Sequence, residues 1–142
     1  MNFELVTLDG IKYQGEAYSV QLPTAAGHIT VLPNHEPLLS QIVAGVIIVR
    51  RGKGDADTKL EYYATFGGVL EISKTGVRVL VDEATNSEEI NEAEAKKAHE
   101  AALALRKNAK NQVELDRAQT LLERHGVRLE VAELKRRHTH RQ

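Results

Sequence analysis

The sequence has no cysteine, no tryptophan and a single methionine among its 142 residues. The lack of cysteine excludes disulfide bonds, thiolate metal sites and cysteine nucleophiles, and it fits a reducing compartment. No apolar run approaches the roughly 20 residues that a membrane-spanning helix needs. The first residues lack the basic-then-apolar order of a secretory signal, so we expect no targeting segment.

The composition changes abruptly at Ala84. Nine of the ten glycines, all three prolines and all six aromatic residues lie up to this point, with seven basic and ten acidic residues. The 58 residues that follow carry twelve basic and ten acidic residues, one glycine, and no proline or aromatic residue. The formal net charge of −1 therefore hides an acidic first part and a basic second part. We expect two domains, residues 1–84 and residues 85–142, and near-neutrality argues against a dedicated nucleic-acid binder.

Residues 1–84 contain short runs of alternating or β-branched residues, separated by glycine or proline. Asp9-Gly10 favours a hairpin turn, and Pro23 is expected to end the strand that begins at Ala17. The runs show no helical period and number eight to ten. This pattern favours a β-sandwich of about ten strands over a flattened barrel.

Residues 85–142 instead show the spacing of two amphipathic helices. Apolar or small residues recur every three or four positions in two segments. They are Ala95, Ala98, Ala102, Leu105 and Ala109 in the first, and Leu115, Ala118, Leu122, His125, Leu129 and Ala132 in the second. Two such stripes bury each other in an antiparallel α-helical hairpin, so the whole chain is expected to be an α+β two-domain protein. Because alanine buries little apolar area, we expect this hairpin to be held weakly.

The ends of these helices can also be predicted. Asn91 with Glu94 three residues later forms a capping box, and Asn86 with Glu89 offers an alternative start. Gly126 lies inside the second helix, where it costs about 1 kcal/mol relative to alanine, and it can mark a bend.

No residue set in the sequence supports catalysis. His28, His35 and Glu36 come nearest to a site, but they lie in turns where polar side chains are solvated without cost, and no third convergent group is evident. The pair Gly67-Gly68 lacks the Lys-Ser/Thr and the helix start of a phosphate loop. We therefore expect no enzyme activity, no cofactor and no metal.

The other histidines have ordinary interpretations. His138 and His140 form a His-x-His pair that could hold a metal ion, but a solvated basic terminus is the preferred interpretation. His99 is expected on the surface of the first helix. His125 falls in the second stripe, where a polar residue more often fixes the register than binds a ligand.

Four segments, taken in order, resemble the epsilon subunit of bacterial F-type proton-translocating ATP synthases. Leu32 to Leu38 (LPNHEPL) is similar to the family's Leu/Tyr-Pro-Asn/Gly-His-Ala-Pro-Leu motif. Phe66 to Ile72 (FGGVLEI) is similar to its Ser-Gly-Gly-Phe/Ile-Leu-Glu-Val stretch, with Phe66 where serine is usual. Val77 to Ala84 resembles the strand that leaves the β domain, and Arg128 to Leu134 resembles the end of the second helix. The similarity runs from Phe3 to about Arg137.

This resemblance implies a ten-stranded β-sandwich, a helical hairpin and a role without catalysis. It implies a central-stalk rotor subunit that couples proton flow to ATP synthesis by linking the gamma subunit to the c ring. The hairpin, when extended along gamma towards the alpha and beta subunits, would inhibit ATP hydrolysis. The resemblance also implies a peripheral location on the cytoplasmic face of the bacterial inner membrane, with membrane association only through the c ring.

The resemblance also assigns residues to contacts. The c-ring contact is matched by Ala26, Gly27 and His28, although relatives usually have an acidic residue at position 28. His35 falls where the family has a histidine facing gamma. A basic face on the second helix would suit an acidic partner when the hairpin is extended. Its members are Arg117, Arg124, Arg128, Lys135 and Arg136.

Some family members bind ATP in the folded hairpin through an Ile-Asp-x-x-Arg-Ala motif. Here the motif begins at Ile90, but Asn91 replaces the aspartate and Glu94 replaces the arginine. A glutamate at this place repels a phosphate, so we predict weak or absent ATP binding.

Two other functions are compatible with the same patterns. A free-standing adaptor could combine a β-sandwich with a helical hairpin to bind some other partner. A nucleic-acid binder could use the basic C-terminal stripe and would show steeply salt-dependent binding, but the lack of aromatic residues in that half counts against it.

Overall fold

The structure is a computed structural model of the chain, and it describes residues 1–139. The strands are β1 (Asn2–Thr7), β2 (Gly10–Glu16), β3 (Ser19–Thr24), β4 (Gly27–Val31), β5 (Leu38–Ile42), β6 (Gly45–Arg50), β7 (Glu61–Thr65), β8 (Gly68–Ile72), β9 (Gly76–Val81) and β10 (Ala84–Asn86). The helices are α1 (Glu92–Lys107) and α2 (Gln112–Thr139), and single 3-10 turns occupy Asp57–Lys59 and Ser87–Glu89. The predicted ten-stranded sandwich followed by a helical hairpin is confirmed.

The strands form one continuous sheet in the order β10-β7-β6-β3-β5-β8-β9-β1-β2, with β4 paired to β3. All pairings are antiparallel except that of β1 with β9. Alternate residues of each strand point into a core, so that Phe3 and Leu5 of β1 are fully buried with Leu22, Ile47 and Leu70. This alternation is the period-2 pattern that the sequence shows.

The prediction that Pro23 ends a strand is wrong. β3 continues through Pro23 to Thr24. Pairing with β6 ends at Gln21, and pairing with β5 occurs only at Thr24, so the proline lies where β3 changes partners and no N–H is needed on that side. Its carbonyl still accepts a hydrogen bond of 2.9 Å from the backbone N–H of Val43.

The expected domain boundary after Ala84 falls within β10, which pairs with β7. Asn86 then caps the 3-10 turn by accepting a hydrogen bond of 2.9 Å from the N–H of Glu88. Asn91 caps α1 by accepting one of 3.0 Å from the N–H of Glu94, which confirms the predicted helix start. At the other end of the hairpin, α2 begins after Asn111 and runs unbroken through Gly126.

Candidate functional sites

The stripe of α2 that the heptad spacing predicts packs against α1. Ala118 and Ala132 of α2 and Ala95 and Ala102 of α1 are buried. Leu105 was expected in this stripe but is 54% exposed, because it lies in the last turn of α1, at an open groove at the tip of the hairpin. The contact between the helices is therefore made largely of alanine.

A second stripe of α2 packs on the β-sandwich. Val127 and Val131 enter an apolar cluster with Val46 of β6 and with Tyr62 and Ala64 of β7. Val131 is fully buried. This face of α2 was not predicted from the sequence, although its residues have helical spacing, because the heptad stripe beside it already accounted for one buried side of the helix.

Ion pairs flank this apolar contact on the side of Glu83. The Glu83 carboxylate accepts from the guanidinium groups of Arg124, at 3.3 Å, and Arg128, at 2.5 Å. Both guanidinium groups also lie over the ring of Phe66, with their central carbons 5.2 and 5.7 Å from the ring centroid. One carboxylate and one ring thus hold two arginines of α2 against the sandwich.

Further contacts hold the C-terminal half of α2. Lys135 forms an ion pair with Glu88, and Arg136 forms one of 3.1 Å with Glu92 of α1. The imidazole of His138 stacks on Tyr62 with a centroid separation of 5.6 Å, and its Nδ1 is hydrogen-bonded to the Tyr62 hydroxyl. Burial, with a further contribution from the charge of Asp57, raises the pKa of Tyr62 to about 12, so the hydroxyl stays protonated near neutral pH.

The predicted basic face is therefore engaged in this conformation. Arg124, Arg128, Lys135 and Arg136 all pair with glutamates. Arg117 lies apart from them, in a groove beside Leu105 at the tip of the hairpin. The predicted His138/His140 pair cannot be placed, because His140 lies outside the described residues.

The predicted c-ring residues come together at the exposed turn between β3 and β4. Ala26, Gly27 and His28 are all exposed. Gly27 has a φ of 117°, which favours glycine, and its carbonyl accepts a hydrogen bond of 2.5 Å from the Thr24 hydroxyl. The sequence thus builds a tight, solvent-exposed turn.

His35 lies in the loop between β4 and β5. Its Nδ1 is hydrogen-bonded to the carbonyl of Glu36 at 2.7 Å, and the loop borders an open groove of about 400 Å³. Pro37, Ile72 and Val77 give this groove apolar walls.

The outer face of the sheet next to this loop carries apolar side chains. Leu39 of β5 is 72% exposed, and Val69 of β8 and Leu80 of β9 are each about half exposed. Val69 lies opposite Leu80, which lies opposite Val6 of β1, so these residues form a row across three strands. A row of exposed apolar side chains on an otherwise well-packed sheet is typical of a surface that a partner covers.

The residues that correspond to the ATP motif line a cavity of about 350 Å³ between α1, α2 and the connecting segment. Ile90, Asn91 and Glu94 border it together with Glu89. Arg128 borders it too, but its guanidinium is already paired with Glu83. Two carboxylates at such a cavity disfavour a triphosphate.

His99 is not on the open surface as expected. It is half-buried, and a Cβ added at Gly126 would lie 3.8 Å from its ring, so the imidazole rests on the backbone of α2. His125 is half-buried in the contact between the helices, as its place in the stripe predicts. Gly126 therefore faces the His99 ring across the contact between the helices, with room for a methyl group in ordinary contact.

Within residues 1–139, no three histidine or acidic side chains are grouped so as to hold a metal ion. None of the helices in that range is both long and apolar enough to span a membrane.

Comparisons with known proteins give the family. The sequence model for "ATP synthase, Delta/Epsilon chain, beta-sandwich domain" matches residues 1–87. The ATP synthase epsilon chain of Moorella thermoacetica is 35% identical over 132 residues, which are 93% of this chain and 96% of the relative. That of Herpetosiphon aurantiacus is 32% identical over 137 residues, which are 96% of each chain.

Solved structures agree with the sequence relatives. A chain in the cryo-EM structure of the Euglena gracilis mitochondrial ATP synthase, solved as OSCP/F1/c-ring, has a TM-score of 0.78 at 26% identity, covering 92% of this chain and 79% of that one. A chain of the Tetrahymena thermophila mitochondrial ATP synthase central stalk/c-ring shares the fold, with a TM-score of 0.57 at 13% identity, and covers 98% of this chain and 96% of that one. The protein belongs to the ATP synthase epsilon chain family.

Proposed function

We propose that this chain is a non-catalytic rotor subunit that couples proton flow to ATP synthesis. It links the gamma subunit to the c ring through its sandwich, and it restrains ATP hydrolysis through its hairpin. The observation that carries the regulatory part is the shallow contact between α2 and the sandwich, in which few apolar side chains are ringed by ion pairs.

The size of this contact suits a reversible switch. Val127 and Val131 are the buried α2 side chains in the apolar cluster, and full burial of a valine contributes about 1.5–3 kcal/mol. Ordering the hairpin opposes this gain, so the net docking free energy is about a few kcal/mol. About 5.5 kcal/mol of differential binding moves a population from 1:99 to 99:1, which a partner surface can supply.

The positive charges on α2 give an extended hairpin a surface that can bind a partner. When the hairpin leaves the sandwich, Arg124 and Arg128 lose their ion pairs with Glu83, and Lys135 loses its ion pair with Glu88. These cations are then free to meet an acidic surface on the alpha and beta subunits. Because the cations exchange one set of carboxylates for another, the free-energy difference between the docked and the extended hairpin stays small.

The sandwich offers two separate surfaces for the rotor. The exposed turn of Ala26, Gly27 and His28 is proposed to contact the c ring. The His35 loop, the exposed Leu39 and the apolar row of Val6, Val69 and Leu80 are proposed to contact gamma, because a subunit interface removes such side chains from water. Through the c ring, the chain would lie peripherally on the cytoplasmic face of the bacterial inner membrane.

The cavity lined by Asn91 and Glu94 supports the prediction of weak or absent ATP binding. Isothermal titration calorimetry of the full chain with ATP is expected to show no binding in the micromolar range. A micromolar dissociation constant would contradict the prediction.

Removal of residues 88–142 tests the proposed regulation, and it leaves β10 in place. The assembled complex with the shortened chain is expected to hydrolyse ATP faster than the complex with the full chain. An unchanged rate would refute the regulatory role, and failure of the full chain to co-purify with gamma and c subunits would favour the free-standing adaptor.

A further inference from the structure

Two histidines meet in the contact between α1 and α2, and neither takes part in docking on the sandwich. The ring of His99 rests on the α2 backbone at Gly126, and His125 precedes that glycine in α2. His125 also borders the cavity between the helices and the connecting segment. Both imidazoles are half-buried, and His125 would gain a proton in partly desolvated surroundings.

Groups that carry or can gain a positive charge face His125 from both helices. From α2 these are Arg124 and Arg128, which Glu83 holds in place, and from α1 the facing group is His99. Burial lowers the pKa of His125 below its usual range, and the charges of Arg128, Arg124 and His99 lower it further. Glu89 and Glu94 border the same cavity, but the pKa of His125 stays lowered in their presence.

We propose that His99 and His125 form a proton-sensitive switch that loosens the folded hairpin when its surroundings become acidic. The proposal rests on the proposed role of the hairpin, and it adds that pH shifts the equilibrium between the folded and the extended hairpin. A proton on His125 adds a positive charge among Arg124, Arg128 and His99. Separation of α1 from α2 returns the imidazole of His125 to water and moves His99 away from it, whereas Arg124 and Arg128 stay beside it on α2. Acidification therefore favours the extended, inhibitory conformation.

The direction follows from proton linkage. The folded hairpin binds the His125 proton less readily than the open one, in which the imidazole is hydrated and its pKa lies nearer the ordinary value of about 6.5. The stabilisation of the folded form is complete above that pKa and is lost as the pH falls through it. One proton changes the folded-to-open ratio by at most about tenfold per pH unit. We expect this ratio to fall by less than about tenfold between pH 7.5 and pH 5.5.

Labels on the full chain can measure the folded fraction directly. Because the natural chain has no cysteine, Lys53→Cys in the loop between β6 and β7 and Glu100→Cys on α1 give two specific, exposed labelling positions. Energy transfer between dyes at these positions reports the separation of α1 from the sandwich. It is recorded from pH 7.5 to 5.5 on the labelled parent, on His125→Gln and on His99→Gln.

His28→Gln is the matched control, since it removes an imidazole from an exposed turn far from the hairpin contact. The parent and His28→Gln are expected to open as the pH falls, whereas His125→Gln is expected to lose most of this dependence and His99→Gln part of it. An equal folded fraction of the parent at both pH values, or full pH dependence in both histidine variants of the hairpin, would overturn the proposal. Since no hydrolysis is measured, this result stands apart from the test of inhibition.

Discussion

Truncation of Val131 gives the sharpest test of the docking contact. Val131 is fully buried at the centre of the cluster that joins α2 to β6 and β7. Val131→Ala removes two methyl groups, which contribute about 0.8 kcal/mol each, and the cavity left behind raises the loss to about 2 kcal/mol. At about 1.4 kcal/mol per factor of ten, the docking equilibrium constant should fall about 30-fold.

Val113 supplies the matched control on the same helix, because it is 71% exposed. Val113→Ala should change the docking equilibrium by less than about 0.5 kcal/mol. Energy transfer between labels at Lys53→Cys and Glu100→Cys measures both variants in the full chain, and the ATP hydrolysis rate measures them in the assembled complex. If Val131→Ala docks as well as Val113→Ala, the apolar contact does not hold the hairpin, and the reasoning is refuted.

Three further substitutions test separate parts of the account. Glu83→Gln removes the shared carboxylate partner of two arginines, and we expect the docking free energy to weaken by about 1–2 kcal/mol. If this loss does not shrink at high salt, charge is not responsible for it. Gly126→Ala adds a Cβ that makes only ordinary contact, so it should stabilise α2 by about 0.5–1 kcal/mol, seen as a higher thermal midpoint. Gly68→Ala places a Cβ 2.0 Å from the carbonyl oxygen of Leu80, so chemical denaturation should show a loss of more than about 2 kcal/mol.

The sequence predicted the elements because local signals specify them. Strand alternation and the cap at Asn91 act over a few residues, and the structure confirms them. Pro23 was misjudged because its tolerance depends on β3 changing partners, which only the sheet order reveals.

The docking contact was less predictable because it joins residues that are far apart in the sequence. The spacing of Val127 and Val131 is visible in the sequence, but their partners on β6 and β7 are about 65–85 residues away. The basic residues of α2 were identified, yet their pairing with Glu83 and Glu88 depends on how the hairpin lies on the sandwich. The roles of His28 and His35 stay predictions, because they concern surfaces that partners would cover.

A reversible lock on the hairpin tests the central claim most directly. Glu88→Cys and Lys135→Cys replace an ion pair between the connecting segment and α2 in a chain that has no other thiol. The two thiols are joined by a short reducible crosslinker before the chain is assembled into the complex. We predict fast ATP hydrolysis while the link is intact and a slower rate after reduction, with no response to reductant in the complex that contains the natural chain. Equal rates before and after reduction would contradict the claim that the docked hairpin permits hydrolysis and the released hairpin restrains it.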